Sequence, residues 1–261
     1  MLGWRDVRME EQVYAFRRRI FLDAWHDFTS ASPEAQSGCS YLPLPPNATI
    51  GFFESIDSVI RQSGQISNES LLKQLHAAFV PAYKYIPEWH RTVRRELASL
   101  LPGYKPDDDD EAVCAQLRLA TSIFHCTGRN CRGEDRTLAY PEILFHPCFT
   151  LVTQGNGPSH RDPRGIARQK ACLVMGGPWN CIGRVQVHPR RDVVNKLLLF
   201  CRKDPGSTSA AEMDHQDPRL VCPECARRNK VITFMSWRCA VSRFPLYDFP
   251  GLLLIIFPGS T

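Results

Sequence analysis

Long apolar runs are missing from this chain. The longest, Leu252-Leu253-Leu254-Ile255-Ile256-Phe257, has six residues, where a membrane-spanning helix needs about 20. The opening, MLGWRDVRMEEQVYAF, offers neither an apolar core nor a small-residue cleavage site of the kind a secretory signal carries. The chain is therefore expected in the cytoplasm or nucleus, with no membrane contact. A strong charge excess is also lacking. Lys and Arg number 32 against 27 Asp and Glu, a net +5, which speaks against a general nucleic-acid coat. Motifs of the common enzyme classes are absent too. There is no G-x-S-x-G elbow, no P-loop and no dinucleotide fingerprint. The His-x-Glu then Pro-Cys-x-x-Cys pattern of deaminases fails, because Val221 precedes Cys222. No internal repeat is visible. Cysteine is scarce in the first hundred residues, where Cys39 stands alone.

What is present is an ordinary globular composition over 261 residues, with 43% hydrophobic and 23% charged. That suits one large domain or two modest ones. The anomalies are 11 cysteines and 20 prolines. An odd cysteine count in a reducing compartment is better explained by metal ligands and small buried residues than by disulfides.

Residues 1–105 read as a helical region. Val13, Phe16, Ile20 and Ala24 recur at helical spacing between Glu11 and Phe28, with Tyr14, Phe21, Trp25 and Phe28 alongside, a broad apolar face. Arg17, Arg18 and Arg19 interrupt this face and are expected on a solvated flank. Ile56, Val59 and Ile60 suggest a short helix. Ser67 or Asn68 can cap the next, which carries Leu71, Leu72, Leu75 and Phe79 and is expected to stop at Pro81. Pro87 suits the first turn of a helix with Trp89, Val93, Leu97 and Leu100 on one face.

Residues 106–111, Pro106-Asp107-Asp108-Asp109-Asp110-Glu111, read as an acidic linker, with a second use at the positive end of the helix that follows. Residues 112–243 read as a Cys/His-rich domain. Ile123–Cys126 and Ile143–Phe145 are expected as short strands, and helices are expected at Asp192–Arg202 and near Ser236–Ser242. Residues 244–261 are expected to be an irregular tail, of the kind a mispredicted gene end leaves. The fold class predicted is α+β: a helical half followed by a small zinc-stabilised α+β half.

Two constellations point to metal. Cys126 and Cys131 bracket the knuckle Thr127-Gly128-Arg129-Asn130, and His146-Pro147-Cys148 places two donors one residue apart. If that segment is a strand, both donors face one side. His125 is the weaker alternative to His146, because strand neighbours face opposite ways. Together Cys126, Cys131, His146 and Cys148 make a mixed thiolate–imidazole set suited to zinc. The competing reading makes these cysteines ordinary core residues. The second constellation is Cys222-Pro223-Glu224-Cys225 with Cys201 and Cys239, a four-sulfur set. Redox use of Cys222 and Cys225 is the rival. It would want a helix after the first cysteine, and Ala226-Arg227-Arg228-Asn229-Lys230 is a short basic turn. One or two structural zinc ions are expected. Cys39, Cys114, Cys172 and Cys181 read as small buried residues, and His160 and His188 need no role.

The blocks Leu119–Cys126 and Tyr140–Cys148, followed by Cys201-Arg202-Lys203-Asp204-Pro205, Thr208, Met213-Asp214, Asp217, Arg219, Cys222, Cys225 and Trp237-Arg238-Cys239-Ala240-Val241, carry a resemblance. With Ile86–Trp89 and Leu100–Pro102 they resemble a large family of uncharacterised basidiomycete fungal proteins over roughly residues 5 to 243. Many members carry an N-terminal F-box, the helical module that docks on the adaptor of a cullin-type ubiquitin ligase. No F-box is seen here. The family tends to place a histidine where this chain has Arg243, and Cys239, one turn earlier, would have to take over as ligand.

Three functions follow in order of preference. The first is a non-enzymatic, zinc-stabilised interaction module; the resemblance implies ubiquitin-ligase components as partners. The second is zinc-dependent nucleic-acid binding through Arg161, Arg164, Arg168, Lys170, Arg190, Arg191, Arg227, Arg228 and Lys230. The third is a zinc enzyme with Cys201, Cys222 and Cys225 as an open three-ligand site and Glu224 or His215 as base. No catalytic residue is assigned.

Overall fold

The computed structural model describes residues 4–31, 44–62, 65–128, 131, 136–150, 178–221, 227, 230, 234–243 and 253–255. The fold is α+β, with helices first and two small antiparallel sheets after them. The chain forms two compact units, one of residues 1–91 with 144–181 and the other of 92–143 with 182–261. No helix among the described residues is long and apolar enough to cross a membrane.

The first unit is built on α1 (Trp4–Ala31), the short α2 (Asn47–Ile50), α3 (Glu54–Ile60) and α4 (Asn68–Lys84). Its core gathers Phe21, Ala24 and Trp25 of α1, Ile56 and Ile60 of α3, and Leu71, Leu75, Phe79 and Ala82 of α4. Phe79 is the hub, with ring centroids of Trp25 and Phe28 each 5.2 Å away and Phe21 at 6.1 Å. Such offset and edge-on pairs add stabilisation beyond the area they bury.

The broad apolar face expected of α1 is buried at Phe21, Ala24 and Trp25, with Tyr14, Ile20 and Phe28 packed against them, but not at its first two positions. Val13 and Phe16 are exposed, whereas Arg17 and Arg18 are buried. The solvated-flank reading is corrected for these two. The Arg17 guanidinium donates to the carbonyls of Ile60, at 3.1 Å, and Gln62. These carbonyls lie at the end of α3, where helical acceptors lack partners and cations are favoured. The Arg18 guanidinium sits 4.8 Å from the centre of the Phe52 ring.

Ser67 caps α4, accepting from the Ser70 N–H at 3.2 Å. The helix then runs through Pro81 to Lys84 rather than stopping. A proline there removes one backbone bond. Phe79 and Ala82, both at 0% exposure on either side of it, show that packing of this face outweighs the loss.

α5 (Ile86–Ala98) carries Pro87 in its first turn, as expected. Its buried positions are Ile86, His90, Val93, Leu97 and Ala98, continued by Leu101; Leu100 is exposed. The true stripe is shifted by one residue from the expected one at both ends.

In the second unit, α6 (Asp110–Arg118) is capped by Asp109, which accepts from the Ala112 N–H at 2.7 Å. Arg95 donates to the Pro106 and Asp108 carbonyls at 3.0 and 3.1 Å and to the Asp110 carboxylate at 3.0 Å. The acidic stretch is thus the start of a helix held by an arginine. Strand β1 (Phe124–Cys126) is central in a sheet of order β2-β1-β3, with β2 (Thr137–Leu138) and β3 (Val185–Val187) antiparallel to it. The expected strand at Ile143–Phe145 is instead part of a 3-10 turn, Glu142–Phe145. The Ile143 N–H turns back to the Ala139 carbonyl at 2.9 Å. Pro141 and Pro147 on either side could not have donated to a ladder.

Helix α7 (Arg191–Phe200) and the short α8 (Ala210–Gln216) follow. Ser209 and Glu212 form a reciprocal capping box on α8. A second sheet, of order β5-β4-β6, joins β4 (Arg219–Val221), β5 (Phe234–Met235) and β6 (Leu253–Ile255). Part of the segment expected as an irregular tail therefore pairs with β4, Leu254 opposite Leu220. Helix α9 (Trp237–Arg243) contributes Trp237, Ala240 and Val241 to a core shared with Val194, Leu197, Met213 and Leu220. Asp214 pins α9. Its carboxylate accepts from the Trp237 indole at 2.7 Å and takes two bonds from Arg238, at 3.0 and 2.6 Å. Arg238 also pairs with Glu142 at 2.7 Å. Burial disfavours the Arg238 charge, but Asp214 and Glu142 more than offset it and hold the guanidinium above its usual range.

Candidate metal centre

The stretch Phe124–Phe149 supplies the site. Alternation along β1 turns Phe124 and Cys126 to the buried side, each at 0% exposure. His125 faces the other way, its ring 5.5 Å from that of His188. Two bonds tie Gly128 to the cysteines on either side of it. The Gly128 N–H donates to the Cys126 sulfur at 3.3 Å, and the Cys131 N–H donates back to the Gly128 carbonyl at 3.1 Å. The Arg136 guanidinium then holds the Cys131 carbonyl.

His146 and Cys148 reach the site by a route the sequence did not suggest. His146 is an extended residue at the start of a second 3-10 turn, Pro147–Phe149, and Cys148 lies within that turn. The turn is closed by the Phe149 N–H donating to the His146 carbonyl at 3.0 Å. Pro147 fixes its first position, where the missing N–H is no loss.

The result is a converging set. One ligand atom each from Cys126, Cys131, His146 and Cys148 lies within 4.8 Å of all the others. Tetrahedral zinc with Zn–S near 2.3 Å requires sulfurs about 3.8 Å apart, so the four donors can close on one ion with small side-chain adjustments. Cys126, Cys131 and His146 are buried and Cys148 is half-buried. None of the three cysteines is in a disulfide. Three thiolates and an imidazole are soft to borderline donors, which suits zinc and not magnesium or calcium.

The second constellation is only partly described. Cys222 and Cys225 lie outside the described residues. Cys201 closes α7 as its C-terminal cap and packs against the core that contains Cys239. Burial raises the Cys201 thiol above its usual range, the behaviour of a core thiol. Among the described residues, Cys201 and Cys239 join no group of three or more converging donors. Cys114 and Cys181 are buried, and Cys39 and Cys172 lie outside the described residues. His215 is exposed at the end of α8; Glu224, its companion as a candidate base, also lies outside them. Of the candidate basic surface, Arg190 is committed elsewhere, donating to the Val241 and Ser242 carbonyls at 2.8 and 2.6 Å. Arg161, Arg164, Arg168, Lys170 and Arg228 lie outside the described residues.

His188 was given no role by the sequence, and its position is specific. It is 4% exposed, and its Nδ1 accepts from the Arg190 N–H at 3.2 Å, with Nε2 3.4 Å from the Thr137 hydroxyl. Burial, then His125 and Arg190, push its pKa down to about 4. His125 is lowered as well, chiefly by burial, then by Arg136 and Arg190. No local signal marks His188, because its partners come from three separate segments.

Comparison with known proteins leaves the geometry to stand alone: no family model, curated protein or solved structure matches this chain.

Proposed function

We propose that this chain is a non-enzymatic interaction module whose Cys/His-rich part is held together by a structural zinc ion on Cys126, Cys131, His146 and Cys148. The observation that carries the proposal is the convergence of those four donors. Four protein ligands fill a tetrahedral shell and leave no position for a reacting water, which is the arrangement of structural rather than catalytic zinc. Strands of two or three residues bury little by themselves, and a metal bound to the fold adds its binding free energy to folding. The resemblance to F-box-bearing fungal proteins supports a role in substrate recognition for ubiquitin ligation, with the ligase components as partners. Co-purification of the tagged full chain with a cullin adaptor tests that role. Zinc-dependent capture supports it; capture that is absent with the zinc-loaded chain removes the ligase setting and leaves a binding module of another kind.

A further inference from the structure

The metal centre is closed by ligands of unequal access. Cys126, Cys131 and His146 are buried, while Cys148 is half-buried. Cys126 also has the Gly128 N–H on its sulfur. Reactivity toward oxidants follows thiolate character and access together. A bound zinc would hold all three sulfurs as thiolates, so access decides between them, and Cys148 is the most exposed residue of the three.

His146 also begins a chain of aromatic contacts. The His146 ring lies 5.0 Å from Phe149, Phe149 lies 5.9 Å from Trp179, and Trp179 lies 6.3 Å from Trp89. The Asn180 N–H donates to the Phe149 carbonyl at 2.9 Å, and the Trp179 N–H donates to the Thr49 hydroxyl at 2.9 Å. The 3-10 turn that presents the two ligands is therefore also the seat of Trp179.

From this we infer that the centre is a peroxide-sensitive switch entered through Cys148. The inference rests on the metal reading above. The Cys148 thiolate attacks one oxygen of a hydroperoxide, forming an S–O bond as the O–O bond breaks and hydroxide (or alkoxide) leaves. The thiolate of Cys126 or Cys131, whose ligand atom lies within 4.8 Å, then attacks that sulfur. An S–S bond forms, the S–O bond breaks and a second hydroxide leaves. Two thiolates have lost two electrons, and the peroxide has gained them. One thiolate and His146 remain, too few to retain the ion. The Pro147–Phe149 turn loses its anchor, and Trp179 loses the ring packed against it.

The test uses the full chain, loaded with zinc. Hydrogen peroxide is added while a chromophoric chelator reports released zinc and tryptophan emission is followed. The disulfide is mapped by mass spectrometry after the first turnover. The expected result is zinc release with a concurrent emission shift, and a disulfide joining Cys148 to Cys126 or Cys131. Cys148→His keeps a zinc ligand, giving a two-sulfur, two-nitrogen set, and removes the accessible thiolate. Its release is expected to be at least about tenfold slower. Release from Cys148→His at the wild-type rate overturns the inference, as does a first disulfide that excludes Cys148. Should Cys148→His hold no zinc, the disulfide map of the wild type decides alone. A wild-type chain that takes up no zinc at all fails the metal reading itself, a result distinguishable from zinc that is bound and indifferent to peroxide.

Discussion

Acid is expected to unfold this protein in part through one buried imidazole. His188 is neutral in the fold, because its Nδ1 accepts the Arg190 N–H and the proton sits on Nε2 toward Thr137. Protonating Nδ1 would oppose two donors and place a cation beside His125 and Arg190. The folded pKa is lowered to about 4, from an ordinary value of 6.5. The unfolded chain therefore binds a proton that the folded chain refuses between those values. Stability from this group is complete above pH 6.5, falls as pH drops through the window and levels below about 4. At 1.36 kcal/mol per pH unit, the loss across the window is about 3 kcal/mol. The perturbation is His188→Gln, whose amide oxygen can still accept from Arg190 without titrating. The assay is urea unfolding of both proteins at matched metal content between pH 7.5 and 4.5. Metal ligands also take up protons in acid, so the quantity read is the difference in slope between the two proteins. Wild type is predicted to lose up to about 3 kcal/mol more than the variant over the window. Equal slopes, or a wild type that gains stability on acidification, would refute the reasoning.

Other substitutions separate the packing arguments. Asp214→Asn should destabilise by about 1–2 kcal/mol, because it weakens the charge-assisted bonds to Arg238 and Trp237 at a half-exposed site; a double-mutant cycle with Arg238→Met should recover part of that as coupling energy. Arg17→Met should lower stability by about 1–3 kcal/mol by leaving the carbonyls at the end of α3 without a donor, read from thermal or urea unfolding. Leu101→Ala should cost about 2–5 kcal/mol and Leu100→Ala well under about 1, so similar losses at the two positions would contradict the one-residue shift of the α5 stripe. Chelation of metal from the full chain should move tryptophan emission, since His146 and Phe149 seat Trp179, and added zinc should restore it.

The sequence made the helical half legible wherever a cap or a periodic stripe acted alone. Ser67 and Pro87 mark helix starts that the structure keeps, and the acidic run does precede a helix, although α6 starts at Asp110 rather than near Ala112. It misled where tertiary contacts overrode local preference. Periodicity along α1 ranks Val13 and Phe16 with the core, yet both are exposed, while Arg17 is buried with its guanidinium on the carbonyl at the end of α3. Pro81 signals a stop, and the packing of Phe79 and Ala82 carries α4 past it. The metal site was legible as a set of donors but not as a geometry. The pairing of His146 with Cys148 rested on strand alternation, whereas a proline-started turn brings them together. Strand alternation does put His125 and Cys126 on opposite sides of β1, with Cys126 on the buried one. His188 and the Asp214–Arg238–Glu142 network carried no local mark, since each is assembled from segments far apart in the chain.

X-ray absorption at the zinc edge of the purified full chain, beside Cys126→Ser, addresses the central claim most directly. The account predicts a zinc ion with sulfur at about 2.3 Å and nitrogen at about 2.0–2.1 Å, and loss of one ion per chain in the variant. A chain that binds no zinc, or one whose zinc content is unchanged by Cys126→Ser, would contradict it.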